Sequence, residues 1–301
     1  MATLRQMKQQ DLNLVNSLLS RAFSQGKADD GYMHTHVPLC RTEFLQAYLY
    51  QNPEGCFILE DEGRLRGASF CHVNGSTGWI GPLAVAPEKH LMGLGKKLMN
   101  QSIEFLTSRN CSTIGLESNP RSRRNLGFYM RLGFLPTILS IDMIRPISPY
   151  KRESEAKPHK VMFYSRVSPN DRQVMLSRIK ELSHAAAPGT DYSNFIKALH
   201  RARAGETVLF VRKSTAIGFA VMQTVSTSVD EKDPVLRTIV FVGHPQTPEK
   251  YVKYFLADLE EIAWRFKKKR HLVRVPMYSP RFFKHFLERN YRIINSDQRM
   301  I

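Results

Sequence analysis

Residues 83–97 read LAVAPEKHLMGLGKK: an apolar strand-like run, Pro87, then Gly93-Leu94-Gly95 at the head of a segment with helical periodicity. A strand that feeds a glycine-bearing turn and then a helix is a device for holding phosphate. The first backbone N–H groups of a helix have no internal partner, and the helix dipole favours negative charge there. Gly93 and Gly95 carry no side chain, so an anionic group can lie directly on the backbone. A lone Gly-x-Gly does not say what molecule the phosphate belongs to; the flanking chain has to supply that.

Upstream, Thr3–Met7 reads as a short strand, and Asp11 as the cap of a helix carrying Leu12, Val15, Leu18 and Leu19. Residues 25–38 are polar and read as a loop; Phe44, Leu45, Tyr48 and Leu49 give a second helix over 41–50. Strands follow over 56–60, 65–73 and 79–85, separated by turns at Glu62-Gly63 and Asn74-Gly75. Downstream, Leu94, Leu98, Met99, Ile103, Phe105 and Leu106 form a helical stripe. A strand over 113–117 comes next, then a helix over 122–132 ended by Gly133, then strands within 135–144.

The second half repeats this order with little identity. Strands are expected over 159–167, 206–211, 216–225, 237–242, 271–275 and 291–294. Helices are expected over 171–182 (capped by Ser168 or Asn170), 192–202, 248–268 and 280–289. Gly218 stands where Gly67 stands in the first half. The order β-α-α-β-β-β-α-β-α-β therefore occurs twice. It defines an α/β (α+β) protein of two tandem units, 1–147 and 158–301, each a mixed, mostly antiparallel twisted sheet flanked by helices. Pro146, Pro149 and the charged KRESEAK run mark a linker over 148–157.

Composition narrows the function classes. The 301 residues are 42% hydrophobic, enough for a real core, and no run of 18 apolar residues suggests a membrane span. The first residues lack a secretory pattern, and Cys40, Cys56, Cys71 and Cys111 have no CxxC or zinc spacing. Reduced thiols, no metal and a cytoplasmic location are expected. The net charge of +17 is uneven: 16 Lys+Arg against 12 Asp+Glu in residues 1–150, but 28 against 15 in 151–301. Such asymmetry suits an anionic partner or simply a solvated surface. The run Lys267–Arg270 ends a helix, where positive charge is favourable in itself, and no nucleic-acid or membrane site is assigned.

Two segments together resemble the GNAT superfamily of acyl-CoA N-acyltransferases. The first is Val85-Ala86-Pro87, His90, Gly93 and Gly95; the second is Leu116-Glu117, Ser122, Tyr129 and Gly133-Phe134. The resemblance implies two GNAT-like units, the first catalytic and the second degenerate. It also implies acetyl-CoA as co-substrate, with its pyrophosphate on the turn, and a primary amine as acceptor. Leu83, Ala84, Val85, His90, Leu91, Met92, Gly93, Leu94, Gly95, Lys96, Ser122, Asn125 and Tyr129 are the expected cofactor-binding residues. His90 stands where the family has Arg or Gln, with Lys96 and Lys97 at hand to add charge; Ser122 replaces Asn, and Asn125 stands in for Ala.

Acyl transfer from a thioester needs a neutral attacking amine, a stabilised oxyanion and a proton for the departing thiolate. By the resemblance, Glu117 takes a proton from the amine directly or through water, and Tyr129 protonates the sulfur. Otherwise Glu117 is a carboxylate salt-bridged to Arg121, Arg123 or Arg124, and Tyr129 a half-buried helix residue. His34, His36, His72, Asp29, Asp30 and Tyr32 are candidates for acceptor contact, and Cys71 for a minority ping-pong route. The second half, with His244-Pro245-Gln246-Thr247-Pro248 where the first has its glycine turn, is expected to have lost the cofactor. Tyr291-Arg292 stands there in place of Gly133-Phe134. A monomer or homodimer is expected, and the alternative function is a non-catalytic, coenzyme A-binding regulatory or interaction protein.

Overall fold

The structure is a computed structural model describing residues 2–89, 92–147, 157–231, 234–276 and 280–301. The first half runs β1 (Thr3–Gln6), α1 (Leu12–Asp29), α2 (Thr42–Gln51), β2 (Cys56–Asp61), β3 (Arg64–Asn74), β4 (Thr77–Val85), α3 (Leu94–Ser108), β5 (Thr113–Ser118), α4 (Arg123–Met130) and β6 (Pro136–Pro146). The second runs β7 (Lys160–Phe163), α5 (Pro169–Ala186), α6 (Ser193–Arg201), β8 (Gly205–Arg212), β9 (Thr215–Gln223), β10 (Val235–Gly243), α7 (Tyr251–Arg265), β11 (Arg270–Pro276), α8 (Pro280–Glu288) and β12 (Arg292–Met300). Both copies have the expected element order.

Several bounds differ from the sequence reading. Helix α1 continues to Asp29, because the polar Gln25–Asp29 turn lies on its solvent side and closes with a 2.7 Å bond from Gln25 to Asp29. Residues 136–146 form one strand rather than several, and the strand expected over 159–167 contracts to Lys160–Phe163. The long helix of the second half stops at Arg265, where Lys267 turns into the left-handed region and donates to Trp264. The last strand is longer than expected and ends at Met300.

The two copies share one twelve-stranded sheet of order β1-β2-β3-β4-β5-β12-β6-β11-β10-β9-β8-β7. The order reads the same from either end. Strand β12 of the second half lies between β5 and β6 of the first, and β6 lies between β12 and β11, so each half lends its last strand to the other. The same bulges recur in both copies: between Leu59 and Glu60 as between Phe210 and Val211, and where β4 passes Ser69–Cys71 as where β10 passes Val221–Met222. Gly67 packs beneath Leu98 of α3, and Gly218 beneath Phe255 of α7.

The registers place a pseudo-two-fold axis at the pair Ser140–Asp297. Around it, residues 157 positions apart are counterparts: Glu117 with Arg274, Asp142 with Arg299, and Ser140 with Asp297. Charge inverts across the axis. Arg274 donates through Nη1 to Glu117 (2.5 Å), through Nε and Nη2 to Asp142 (2.8 and 3.0 Å), and to Asp297. Burial alone would lower the Arg274 pKa, but these three carboxylates outweigh it and hold it above the ordinary arginine range. Arg299 approaches Glu117 at 3.6 Å and lies over the Trp79 ring at 4.2 Å.

Other links tie the copies together. Arg145 of β6 donates through Nη1 to both carboxylate oxygens of the buried Glu260 of α7 (3.0 Å each), and Arg201 lies 4.1 Å over Tyr50 where α2 meets α6. Gly75, at φ 70°, brings Ser76 N–H to the Gly189 carbonyl at 2.8 Å; a Cβ at Gly75 would sit 2.1 Å from that oxygen. Helices α1 and α2 cover one face of the first half and α3 the other; α5 and α6, then α7, do the same in the second. Among the described residues no helix is long and apolar enough to cross a membrane.

Arg274→Ala leaves Glu117, Asp142 and Asp297 facing one another on the axis. Urea unfolding should show a loss of about 3 kcal/mol, the low end for a broken buried ion pair because Arg274 keeps some solvent contact. Arg274→Lys should lose less. An unchanged midpoint in Arg274→Ala would remove the cluster from the account of stability.

Candidate active site

Strands β4 and β5 pair in parallel only from Thr77↔Thr113 to Ile80↔Leu116. Beyond that point β4 continues to Val85 and β5 to Ser118 without pairing to each other. Gly81-Pro82 occupies the point of divergence, and Pro82 has no N–H to offer a neighbouring strand. The gap that results is bounded by the end of β4, the glycine turn, β5 and α4.

The glycine turn is shaped as its residues require. Gly93 has φ 77°, a conformation that favours glycine, and an added Cβ there would meet nothing within 4 Å. Gly95 is the second residue of α3, and its Cβ would lie 3.5 Å from Phe128 of α4 and 3.8 Å from Val85. Among the described residues, open space thus lies over the backbone at Gly93, just before α3. Leu83, Val85 and Leu94 pack against the apolar cluster under α3, whereas the Ala84 side chain is buried on the α1 side, leaving only its backbone for a ligand. Met92 and Lys96 are exposed. His90 and Leu91 lie outside the described residues.

Ser122 caps the start of α4 by position but not by bonding. Its hydroxyl is buried and makes no hydrogen bond among the described residues. A buried, unsatisfied hydroxyl at the start of α4 fits a ligand that supplies the missing partner. Asn125, one turn on, is half-buried. Tyr129 is half-buried between Phe128 (5.2 Å) and Phe134 (6.5 Å), and burial pushes its hydroxyl pKa up to about 12. It is therefore fully protonated across the ordinary pH range, as a proton donor must be.

Glu117 reaches the gap from the opposite face. Leu116 packs under α3, so the alternate residue Glu117 turns toward the α2 side. Its partners are Arg274 and the Ser140 hydroxyl (2.6 Å), not the neighbouring Arg121, Arg123 or Arg124. Those neighbours act elsewhere. Arg124 binds Asp29 (2.7 Å), and Arg121 lies 4.9 Å over Tyr32, whose hydroxyl donates to Asn119 (3.1 Å). The segment after α1 is thereby fastened across the β5–α4 connection.

His36 lies 3.8 Å from Asp230 of the other half. His72 contacts Gln51 (2.9 Å) and the Gly81 carbonyl (2.6 Å); burial pushes its pKa down to about 4, so it is neutral at pH 7. Cys71 is buried, and burial pushes its thiol up to about 12, which leaves it no thiolate for a covalent route at neutral pH. Sequence reasoning missed Arg274, Asp142, Asp297, Arg299 and Ser140. The only signal was the constant spacing between the copies, which sets Glu117 opposite Arg274.

In the second half the counterparts differ. Asn290-Tyr291, not Tyr291-Arg292, matches Gly133-Phe134: both Gly133 and Asn290 take positive φ, and Phe134 and Tyr291 follow them. Tyr129 then corresponds to the fully buried Phe286, which has no hydroxyl, and Gly95 to the buried Val252.

The comparisons agree with this architecture. Residues 14–134 match the family model of the acetyltransferase (GNAT) family. N-alpha-acetyltransferase 30 of Schizosaccharomyces pombe is 33% identical over 92 residues, which are 29% of this chain and 61% of that protein's length. Among solved structures, a tandem GNAT protein from the clavulanic acid biosynthesis pathway superposes with a TM-score of 0.66 at 13% identity, covering 100% of this chain and 98% of that one. A GCN5-related N-acetyltransferase from Sphaerobacter thermophilus gives 0.63 at 12% identity over 99% and 94%. The chain has the tandem GNAT fold, and within its first half residues 14–134 are similar to the GNAT acetyltransferase family.

Gly95→Val would place in the first half the side chain that the second half already carries. Acetyl-CoA affinity, measured by calorimetry, should fall at least about tenfold as the branched side chain crowds the turn beside Phe128 and Val85. Undiminished affinity would take the α3 turn out of the binding site.

Proposed function

We propose that the protein is an N-acetyltransferase that moves an acetyl group from acetyl-CoA to a primary amine by direct attack in a ternary complex. The observation that carries this reading is the gap between β4 and β5, with open backbone at one end and a protonated, half-buried Tyr129 beside it. The backbone of the Gly93–Gly95 turn and the N-terminus of α3 would hold the pyrophosphate, and Ser122 would donate the bond it lacks in the protein alone. Tyr129 would give its proton to the departing sulfur. The amine would approach from the α2 face, where Glu117 accepts its proton.

Glu117 already receives one bond on each oxygen, from Ser140 and from Arg274. With both oxygens engaged, we place a water between Glu117 and the amine. The buried thiol of Cys71 supports direct attack over a covalent acetyl-enzyme. The four cysteines, all free, fit a reducing cytoplasm. The name of the fission-yeast relative adds a polypeptide α-amino group to the small amines and amino acids that deserve screening as acceptors.

The grip of Arg274 on Glu117 also favours a second reading, in which coenzyme A is bound but nothing is transferred. A screen of acetyl-CoA turnover against amines and short peptides separates the two. Tyr129→Phe should lower kcat about 100-fold or more with little change in acetyl-CoA affinity. Because the tyrosine pKa is raised, the wild-type rate should show no alkaline fall from Tyr129 up to about pH 10. No acetyl-CoA binding sinks both readings; binding without turnover leaves only the second. A Tyr129→Phe rate equal to wild type removes Tyr129 from the chemistry.

A further inference from the structure

A cavity of about 510 Å³ opens in the second half, between α5, the β8–β9 turn and the loop from β10 into α7. Arg178, Arg212, Ser214, His244, Gln246 and Tyr251 are among the residues that line it. The same place in the first half is filled by ion pairs. Arg66 binds Glu88 at 2.9 Å, Arg21 approaches Glu88 at 4.0 Å, and Lys89 binds Asp61 at 3.4 Å. The comparison between copies shows what changed.

The strand registers make the counterparts definite. Leu59↔Gly67↔Val85 in the first half matches Phe210↔Gly218↔Gly243 in the second. Counting outward, Asp61 corresponds to Arg212, Glu88 to Gln246 and Lys89 to Thr247. Arg21 and Arg178 hold the same position within α1 and α5. The second copy has therefore lost both carboxylates together with the cations Arg66 (now Ile217) and Lys89 (now Thr247), kept one arginine, and gained Arg212 and, where the first copy has Ser24, Glu181. Among the described residues neither Arg178 nor Arg212 has an ion-pair partner; Arg212 only lies 5.5 Å over the Tyr251 ring. The one carboxylate in the lining is Glu181. His244 accepts the Gln246 N–H on Nδ1 (3.1 Å), so its neutral ring carries the proton on Nε2 as a further donor.

We propose that this cavity binds a phosphate-bearing small molecule, at a site separate from the glycine turn of the first half. Two guanidinium forks and an imidazole N–H suit a dianion with three exposed oxygens better than a carboxylate, which offers two. Leu182, Ile217 and Tyr251 give the remainder of such a molecule an apolar wall, and the volume is that of an ordinary small-molecule pocket. The second copy would thus have exchanged an internally neutralised cluster for an anion receptor while its counterpart of the acetyl-CoA turn closed.

The test is a calorimetric titration of inorganic pyrophosphate into the full chain, with Gly95→Val as the background so that the first-half turn is obstructed. One saturable site is expected. Gln246→Glu, which restores the acid of the first copy, and Arg178→Ala with Arg212→Ala should each weaken binding about tenfold or more, with melting temperature unchanged. Glu181→Gln should tighten it. No saturable binding, or binding that survives Gln246→Glu and the double arginine variant alike, overturns the proposal. Acetyl-CoA titrated into the otherwise wild-type Gln246→Glu chain should bind as before, so failure of the acetyltransferase reading is seen separately.

Discussion

One guanidinium sits where the two copies become a single sheet. Arg274 bonds Asp142 and Glu117 of the first half and Asp297 of its own, on the strands that surround the pseudo-two-fold axis. In a partly dry site such an arrangement is stable only because each carboxylate has a cation and the cation has its carboxylates. The inversion of charge at related positions does more than stabilise. Two first halves paired about the same axis would bring Glu117 against a second glutamate, and two second halves would bring Arg274 against a second arginine. The pairing of unlike copies is written into these side chains.

The same cluster connects architecture to chemistry. Glu117 is a candidate base on β5, yet the residue that orients it comes from β11 of the other copy. The gap between β4 and β5 is local to the first half, whereas the environment of its carboxylate is not. Each copy has the same divergence of strands at its centre. The second places the buried Val252 and Phe286 where the first has Gly95 and Tyr129. One fold therefore carries two different linings at the same place: a glycine and a hydroxyl in one copy, a branched side chain and a plain ring in the other.

How much of this was legible in the sequence follows from the range of the interactions concerned. Element order and the Gly93–Gly95 turn rest on local periodicity and on glycine's freedom at positive φ, and both could be seen in short windows. The end of α1 was hidden because its last turn is polar on a solvent face, which looks like a loop. The exchange of β6 and β12 was hidden for a stronger reason: alternating strands carry no label saying which edge they will join. The ligation of Glu117 by Arg274 depends on that exchange, so nearby arginines 121, 123 and 124 were the visible but wrong partners. Ser122 was picked out by position; its orphaned hydroxyl became evident only once its surroundings were packed.

The exchange of strands also sets a timetable for the nascent chain. Strand β5 has no neighbour on its far side until Gln298–Met300 has left the ribosome, and β6 must wait for both β11 and β12. The first copy therefore emerges with an incomplete sheet and holds a bare strand edge through the synthesis of the whole second copy. Such an edge invites pairing with another chain.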